Sequence, residues 1–577
     1  MNKIYRLNLI ILLSFIVNAL IFSQQINTPQ KINNQFIPPL KIPPVVSGSF
    51  GELRTNHFHS GLDLTTSGRT GYPVYAIADG YISRIKVSPV GYGKALYIDH
   101  DNGYTSVYGH MEAYSKQIDS IVVARQYALK SYDFDWYPDR NKIRVKQGDI
   151  IGYSGNSGGS GGPHLHLEIR ETSTQKPMNP LLFYSFINDN ISPIIRRIRV
   201  YPITSTSVVN GKNSTQTYSV EETNGDYRLT SGSMIAVGGE IGIGIDAIDY
   251  LPGSRRNCGV YIVALDVNGK RIYESEVDKL NFAETRYINS LVDYAYKVDT
   301  KHTIQKSFVE PNNHLSIYNI RKNNGILNIV KDSVYQLKYT VQDINGNTST
   351  LKFALKGTDE MAESSNPDDI IKWNTPFRLL NDIYRINIDA STFYTDVAFN
   401  VVESPVHKGD ISERVKFGDE RIPAHKPFKI ELKVPDSLKI MASFLCMGTI
   451  DDKGEKSYAG GNYSNGWITC FTRQLGTYTI LIDSVPPVIQ LRHPKEGNNY
   501  SNSEFLELYV TDNFSGLDTY RCEVDGNWEL FEYDYKTNRL ICPLQKTRIT
   551  KGNTHKLLVK VKDACGNAAS KTFNFYY

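Results

Sequence analysis

Short apolar runs separated by turn residues are the feature that most constrains the fold of residues 73–111. Turn sequences stand at 79–80 (Asp-Gly), 91–93 (Gly-Tyr-Gly) and 101–103 (Asp-Asn-Gly). A tight turn between antiparallel strands needs residues that tolerate a positive φ, and Asp-Gly and Asn-Gly supply them. The pattern predicts an antiparallel sheet with strands at 73–78, 81–87, 96–100 and 104–111.

A further strand is predicted over residues 164–170, where polar and apolar side chains alternate. His164, His166 and Glu168 share one face of it, and leucine and isoleucine side chains share the other. The apolar face is expected to hold the strand in the core, which leaves the polar face for chemistry. Residues 145–153 are predicted to add a strand to the same sheet, and 111–143, with apolar residues at mixed helical spacing, to form a helix and a loop.

The histidines of this strand have a counterpart about a hundred residues earlier, in the stretch His59-Ser-Gly-Leu-Asp63. Two histidines at i and i+2 of a strand point to the same side, and an H-x-x-x-D pair can bring an imidazole and a carboxylate to one ion. Three of these four side chains would suffice for zinc. Mixed His and Asp ligands with water in the fourth position are typical of catalytic zinc, because structural zinc sites fill all four positions with protein ligands.

The sequence resembles the lysostaphin-type (LytM-like) zinc endopeptidases, which cut peptide bonds in bacterial cell-wall peptidoglycan. The resemblance covers roughly residues 45–185 and includes, besides the two metal motifs, the stretches Phe50–Arg54, Gly71–Gly80, Tyr108–His110 and Gly152–His164. It implies a LytM-like β-sheet domain with one Zn²⁺ per chain. It also implies two sets of site residues, namely the zinc ligands His59, Asp63 and His166 and the unligated catalytic imidazoles His110 and His164.

The implied reaction is attack of metal-activated water on an amide carbon. The chain has no H-E-x-x-H motif and therefore no glutamate base on a helix beside the metal. The two unligated imidazoles would handle the proton and the oxyanion, and the sequence does not tell which does which. The connection 111–143 is longer than in compact family members, and the insertion would either wall a substrate groove or decorate the surface.

Other residues near these motifs allow two interpretations each. Glu168 would orient a ligand histidine or be an exposed strand residue. Arg54 would bind a substrate carboxylate or fix the loop before the first ligand. The glycines of 155–162 would let an extended peptide approach the backbone or form a flexible loop. His57 and His100 match no ligand position and are expected to be structural.

The 577 residues are too many for one core and predict several domains in an all-β, mainly antiparallel chain. Two short repeats, 341–347 with 561–567 and 192–195 with 486–489, resemble bacterial immunoglobulin-like sandwiches. After the peptidase-like domain we therefore expect two or three β-sandwiches. The predicted divisions are a signal peptide (1–23), an extended lead-in (24–44), a LytM-like zinc peptidase domain (45–188), an immunoglobulin-like sandwich (190–357), a linker (358–371), a β domain of unknown type (372–484) and a second immunoglobulin-like sandwich (485–577).

The N-terminus predicts export. Lys3 and Arg6 precede an apolar run from Leu7 to Phe22, which is typical of a cleaved secretory signal; an uncleaved anchor is the alternative. No later stretch is long and apolar enough to span a membrane, so no transmembrane anchor is expected after cleavage. The net charge of +4 is small and no Lys/Arg run occurs, which argues against nucleic-acid binding. The periplasm or the cell surface is the expected location.

All six cysteines lie at or beyond Cys258. In an exported protein an even number permits disulfides, and the pairs that close short loops are Cys446 with Cys470 and Cys522 with Cys542. Free buried thiols are the alternative.

Three functions are compatible with the sequence. The first is an exported zinc endopeptidase acting on stem or cross-bridge peptides of peptidoglycan. The second is a non-catalytic LytM-type scaffold that regulates other wall hydrolases, and intact ligand positions argue against it. The third is a surface binding protein dominated by its β domains, which would contact an envelope protein or a glycan.

Overall fold

The computed structural model describes residues 29–32, 36–185, 187–223, 225–232, 234–363, 369–492 and 498–577. The predicted signal peptide lies outside these residues. The chain forms two compact units, of which one gathers residues 48–60 and 181–366 and the other 34–47, 61–180 and 367–577. The all-β, mainly antiparallel class predicted from the sequence is confirmed.

The segment with the histidine motifs forms two sheets. Its elements are β1 (Val46–Gly48), β2 (Leu62–Thr65), β3 (Pro73–Tyr75), β4 (Gly80–Val87), β5 (Lys94–His100), β6 (Tyr104–Met111), β7 (Ala113–Tyr114), α1 (Lys116–Leu129), β8 (Phe134–Trp136), β9 (Arg144–Val145), β10 (Ile150–Tyr153), β11 (His164–Glu171) and β12 (Pro177–Met178). The larger sheet has the order β1-β2-β11-β6-β5-β4-β8, with β12 beside β11 and β9 beside β4. The smaller sheet has the order β3-β10-β7.

The prediction of one strand over 145–153 in the main sheet is wrong. Gly148 has a φ of +87° and interrupts the run, so that Val145 pairs with β4 while β10 joins the small sheet. The helix and loop predicted for the insertion are present as α1 and the segment that follows it. Ile118, Val122 and Gln126 recur at four-residue spacing on its buried face.

Residues 194–357 form one continuous sheet around a single apolar core, which we call the first sandwich. Its strands are β13 (Ile194–Pro202), β14 (Val208–Val209), β15 (Gln216–Thr223), β16 (Asp226–Leu229), β17 (Met234–Gly238), β18 (Glu240–Ile248), β19 (Ile262–Val267), β20 (Lys270–Glu276), β21 (Gln305–Lys306), β22 (Tyr318–Arg321), β23 (Leu327–Asn328), β24 (Val334–Gln342) and β25 (Thr348–Gly357). Two short helices, α2 (Ile288–Leu291) and α3 (Tyr294–Thr300), interrupt them. Phe50 and Phe58 pack with Leu280, Ile288 and Leu291 and so anchor loop 48–60 within this unit.

Residues 370–482 form two five-stranded sheets over a shared core and a two-stranded sheet that pairs Ile370–Ile371 with Val397–Ala398. The strands are β26 (Ile370–Ile371), β27 (Phe377–Leu380), β28 (Tyr384–Ile388), β29 (Val397–Ala398), β30 (Val401–Ser404), β31 (Arg414–Phe417), β32 (Phe428–Lys433), β33 (Leu445–Ile450), β34 (Lys456–Gly460), β35 (Asn462–Ser464), β36 (Trp467–Thr472) and β37 (Gly476–Ile482).

Residues 488–577 form the C-terminal sandwich, in which two four-stranded sheets share one core. Its strands are β38 (Val488–Leu491), β39 (Phe505–Thr511), β40 (Leu517–Val524), β41 (Asn527–Trp528), β42 (Glu532–Asp534), β43 (Arg539–Pro543), β44 (Thr554–Asp563) and β45 (Ala568–Tyr576). Within the described ranges no helix combines the length and the apolar content that a membrane crossing requires.

All six cysteines are free thiols, so the predicted local disulfides are not formed. Cys446 and Cys470 lie on different sheets, as do Cys522 and Cys542. Cys470, Cys522 and Cys542 pack among the apolar core side chains, which is the behaviour of small hydrophobic residues.

Candidate metal and catalytic site

Strand β11 builds one wall of the site in the way its alternation predicts. Leu165, Leu167 and Ile169 are fully buried on the core side. On the opposite face His166 stands across from Asp63 of β2, and across from Gly109 of β6 on its other side. Directly opposed residues on neighbouring strands bring their side chains together. The register therefore places the carboxylate beside the imidazole.

Position 61 needs a glycine, because the backbone there lies so close to β11 that a side chain has no room. A Cβ on this residue would lie 2.5 Å from the carbonyl oxygen of Leu167 and 2.8 Å from Cε1 of His166. The glycine of the His-Ser-Gly-Leu-Asp motif is thus what allows the segment to pass over the second histidine.

His166 is held from both ring nitrogens. Its Nδ1 lies 2.8 Å from Oδ1 of Asp63, and its Nε2 lies 3.0 Å from Oε1 of Glu168. Burial lowers the pKa of His166, but the hydrogen bonds and charges of Asp63 and Glu168 outweigh burial and raise the pKa to about 9. In the metal-free protein this histidine is therefore protonated at neutral pH.

Glu168 orients His166 and is not an exposed strand residue. Its side chain is 0% exposed. Besides His166, it accepts hydrogen bonds from the hydroxyl of Tyr92 and, at 2.6 Å, from Nε of Arg170. A carboxylate that accepts from the second nitrogen of a ligand histidine fixes the ring and its tautomer. Sequence reasoning missed Tyr92 and Arg170, although Arg170 continues the i+2 series of β11 and Tyr92 lies inside a turn signal.

His59 brings the third group from loop 48–60. Its Nδ1 lies 2.7 Å from the carbonyl oxygen of Ser49, so this ring would bind a metal through Nε2. One ligand atom from each of His59, Asp63 and His166 lies within 4.8 Å of the others, and all three residues are buried. Two imidazoles, one held at Nδ1 by a carbonyl oxygen and the other at Nε2 by Glu168, together with the carboxylate of Asp63, fit a zinc ion with an open fourth position.

His110 and His164 lie next to this trio. Their ring centroids are 4.8 Å apart, and Nε2 of His164 is 3.4 Å from Oδ1 of Asp63. Nδ1 of His110 lies 2.9 Å from the carbonyl oxygen of Ser157, and Nδ1 of His164 lies 2.8 Å from that of Gly162. A carbonyl can only accept, so both rings carry a proton on Nδ1, and the neutral form of either ring has its lone pair on Nε2.

The environment keeps His110 neutral. Burial, followed by the neighbouring imidazoles His166 and His164, lowers its pKa to about 3. Its backbone has a φ of +59°, a left-handed conformation that side-chain-bearing residues rarely adopt. Such strained residues occur preferentially at functional sites.

The remaining candidates are structural. Arg54 pairs with Glu52 at 3.0 Å within the same loop, which favours the loop-fixing interpretation. His57 is exposed, and His100 is buried between the carbonyl oxygen of Asp79 and the hydroxyl of Ser106.

Most glycines of loop 155–162 are needed because neighbouring backbone lies against them, which is neither of the two roles expected from the sequence. A Cβ on Gly158 would meet the backbone of Gly93 at 2.3 Å, and one on Gly155 would meet that of Glu112 at 2.3 Å. Only Gly161 and Gly162 of this loop face open space on the side where a Cβ would lie.

The C-terminal sandwich contacts this loop and helix α1. Lys536 donates hydrogen bonds to the carbonyl oxygens of Asn156 and Ser160, the second over 3.3 Å. Ser160 Oγ in turn lies 3.2 Å from Nδ1 of His164. Glu532 pairs with Lys94 at 2.7 Å beside the same loop. Helix α1 of the insertion contacts the same sandwich, since Tyr127 donates to Glu529 and Asp119 pairs with Lys546 at 2.9 Å.

Comparison with known proteins agrees with the geometry. The model of peptidase family M23 matches residues 57–127 and 140–180, and the model of the Zu5-like domain matches residues 368–483. The DD-carboxypeptidase/endopeptidase Mpg of Neisseria meningitidis is 33% identical over 129 residues, which are 22% of this chain and 23% of that protein. The cell division protein DipM of Caulobacter vibrioides is 28% identical over 141 residues, covering 24% of this chain and 19% of the relative. The chain thus spans less than a quarter of the length of these curated relatives.

Two solved structures are similar to about a quarter of the chain. The catalytic domain of the prophage-encoded M23 protein EnpA from Enterococcus faecalis shares 26% identity, covering 26% of this chain and 96% of that one, with a TM-score of 0.19. The catalytic domain of lysostaphin from Staphylococcus simulans shares 26% identity, covering 23% and 86%, with a TM-score of 0.17. The family match and the identity to the Neisseria relative agree with the resemblance inferred from the sequence, and the segment that carries the five candidate site residues is a LytM-like domain of peptidase family M23.

Proposed function

We propose that this protein is an exported zinc endopeptidase that hydrolyses peptide bonds in the stem or cross-bridge peptides of peptidoglycan. The observation that carries the proposal is the convergence of a His-Asp-His trio with two further imidazoles, each of which is held through Nδ1 by a backbone carbonyl oxygen. The name DD-carboxypeptidase/endopeptidase of the Neisseria relative favours D,D-peptide bonds over glycyl bridges.

His59, Asp63 and His166 would hold the metal. When bound, zinc lowers the pKa of a coordinated water towards about 7 and polarises the scissile carbonyl. His164, whose Nε2 lies 3.4 Å from Oδ1 of Asp63, would in its neutral form take the proton of the water. His110, neutral and fixed through Ser157, would accept a hydrogen bond at Nε2 from the reacting groups.

The test uses the mature full chain and purified peptidoglycan. Release of new amino groups, abolished by His164→Ala and by His110→Ala at unchanged zinc content, would support the enzyme. His57→Ala is the matched control, because this exposed histidine lies two residues before a ligand. Full zinc content with no release would favour the non-catalytic scaffold instead.

Export and binding by the β domains need separate tests. Mass spectrometry of the chain from the envelope fraction should show loss of the first 23 or 24 residues, as the signal motif predicts. Retention on peptidoglycan by the His59→Ala variant without zinc would mean that the immunoglobulin-like β domains predicted from the sequence bind an envelope glycan or protein independently of the metal.

A further inference from the structure

Three short motifs occur once in the first sandwich and once in the C-terminal sandwich. Each contains an aspartate, in the patterns D-x-[IV]-x-P, D-x-[LF]-x-G and D-x-x-G-N. The first sandwich has them at Asp189–Pro193, Asp249–Gly253 and Asp343–Asn347, and the C-terminal sandwich at Asp483–Pro487, Asp512–Gly516 and Asp563–Asn567. None of these residues belongs to the peptidase site.

In both sandwiches the fold brings the three aspartates together. Asp189, Asp249 and Asp343 each offer a carboxylate oxygen, and these oxygens lie within 4.8 Å of one another. The first of the three precedes the opening strand β13, the second follows β18, and the third starts the turn between β24 and β25. We call this group the first aspartate trio.

The second aspartate trio repeats this arrangement. Asp483, Asp512 and Asp563 also lie within 4.8 Å of one another. They precede β38, follow β39 and end β44, which are the corresponding places of the C-terminal sandwich.

The same asparagine braces both trios. Nδ2 of Asn347 donates to Oδ2 of Asp343 at 2.7 Å and to the backbone oxygen of Asp189 at 3.0 Å. Nδ2 of Asn567 donates to Oδ2 of Asp563 at 2.7 Å and to the backbone oxygen of Asp483 at 3.0 Å. The geometry is therefore built by the shared motifs and does not arise from chance surface clustering.

The first trio leaves buried carboxylate oxygens without a hydrogen-bond donor. Among the described residues nothing donates with good geometry to Oδ2 of Asp189 or Oδ1 of Asp249, although these residues are only 4% and 3% exposed. In the second trio, Oδ1 of Asp512 is likewise buried without a hydrogen-bond donor among the described residues. Burying an unpaired carboxylate oxygen is costly, so these atoms point to a ligand that the protein atoms do not supply.

No basic side chain of the described residues forms an ion pair with any of the six carboxylates. The ammonium of Lys31 donates to Oδ1 of Asn345, next to the first trio, at 3.2 Å and to the carbonyl oxygen of Leu181. Burial, with the charges of Asp343 and Asp189, raises the pKa of Asp249 to about 8. Three carboxylates that face one another in a buried place repel, and a cation removes that repulsion.

We propose that each aspartate trio binds one calcium ion. The donors are carboxylate oxygens, and no thiol or imidazole shares either group. Hard divalent cations prefer such ligands, and Ca²⁺ tolerates the irregular geometry of three loops better than Mg²⁺, which demands a near-ideal octahedron. Each ion ties the segment that enters a sandwich to the turn that closes its last hairpin.

The test is a calcium titration of the full chain loaded beforehand with zinc, followed by calorimetry. We expect two calcium ions per chain at about 1 mM or below, the range of extracellular calcium modules. Asp343→Asn and Asp563→Asn should each reduce the number to one. Asp359→Asn, an exposed aspartate of the first unit paired with Lys331, is the matched control and should keep two.

A second measurement keeps the test decisive if a variant does not fold. Calcium should raise the melting temperature of the zinc-loaded wild-type chain, because a ligand that binds only the native state stabilises it. The proposal would be overturned if the wild-type chain bound no calcium, or if both Asn variants kept two ions. The aspartate trios would then be groups of carboxyls that share protons. Displacement of calcium by equimolar zinc or magnesium would overturn the assignment of the ion.

Discussion

Replacing Glu168 by glutamine tests whether this buried carboxylate orients His166, the proposed zinc ligand. Glutamine has nearly the same shape but no charge. It would still accept one hydrogen bond, but its NH₂ group would face either the ring of His166 or the guanidinium of Arg170, which both donate in the wild-type chain. The substitution therefore changes the electrostatics of the site while the volume is conserved.

Two effects of different size follow. Removing a carboxylate behind a ligand histidine typically weakens metal binding about 10- to 100-fold, which corresponds to about 1.4–2.8 kcal/mol. The guanidinium of Arg170 is buried and would lose its partner, and breaking a buried ion pair costs roughly 3–5 kcal/mol. We expect about 3 kcal/mol of lost stability, because the glutamine oxygen remains as a neutral acceptor.

The assay must separate metal affinity from proton competition. Glu168 helps to raise the pKa of His166 to about 9, so at pH 7 zinc has to displace a proton in the wild-type chain but less so in the variant. Competition with a chromophoric chelator from pH 7 to pH 9.5 resolves this. The affinity deficit of the variant should grow with pH and approach its full size near pH 9.5, where most of His166 is unprotonated in both chains.

Two further variants complete the experiment. Glu171→Gln, on the same strand and bonded to Thr174, should change neither affinity nor stability. Adding Arg170→Met to Glu168→Gln removes the orphaned charge, so it should restore much of the stability but none of the zinc affinity. If Glu168→Gln bound zinc as tightly as the wild-type chain at pH 9.5, the proposed orienting role would be refuted.

Three more predictions follow from the site. Because the pKa of His166 is about 9, zinc displaces one proton from this residue at neutral pH, and the apparent zinc affinity should rise about tenfold per pH unit between pH 7 and pH 9. Calorimetry in buffers of different ionisation enthalpy should count the released proton. A zinc affinity that does not change with pH would contradict this prediction. Gly61→Ala forces a Cβ against the carbonyl of Leu167 and should cost about 1–3 kcal/mol in chemical denaturation and reduce zinc content, whereas Gly161→Ala, which faces open space, should do neither. Lys536→Met removes the hydrogen bonds to loop 156–160, so hydrogen exchange of that loop should quicken at unchanged zinc content; unchanged exchange would mean that the contact does not hold the loop.

The sequence predicts those parts of the site in which polar and apolar side chains alternate with a strict period along a strand. The i+2 alternation of β11 determines which side chains of that strand face the ligands, and the register then brings Asp63 opposite His166. Tyr92 was not predicted, because nothing in a Gly-Tyr-Gly turn indicates that its hydroxyl reaches Glu168, 76 residues further along the chain. Residues 145–153 are divided between two sheets because Gly148 has a left-handed backbone conformation, and the spacing of apolar residues gives no sign of that conformation.

The role of the insertion could not be predicted from the sequence either, because the residues that it contacts lie about 400 positions further along the chain. Helix α1 is too short and too weakly amphipathic to be stable alone, and only one of its faces is buried. Tyr127 donates to the buried carboxylate of Glu529 and packs edge-on against Trp528 at 5.3 Å, while Asp119 pairs with Lys546 at 2.9 Å. These partners all belong to the C-terminal sandwich, and that sandwich also supplies Lys536 to the loop that carries the acceptors of His110 and His164. The insertion and the C-terminal sandwich therefore act together, since the helix provides the surface on which the sandwich is held against the catalytic loop.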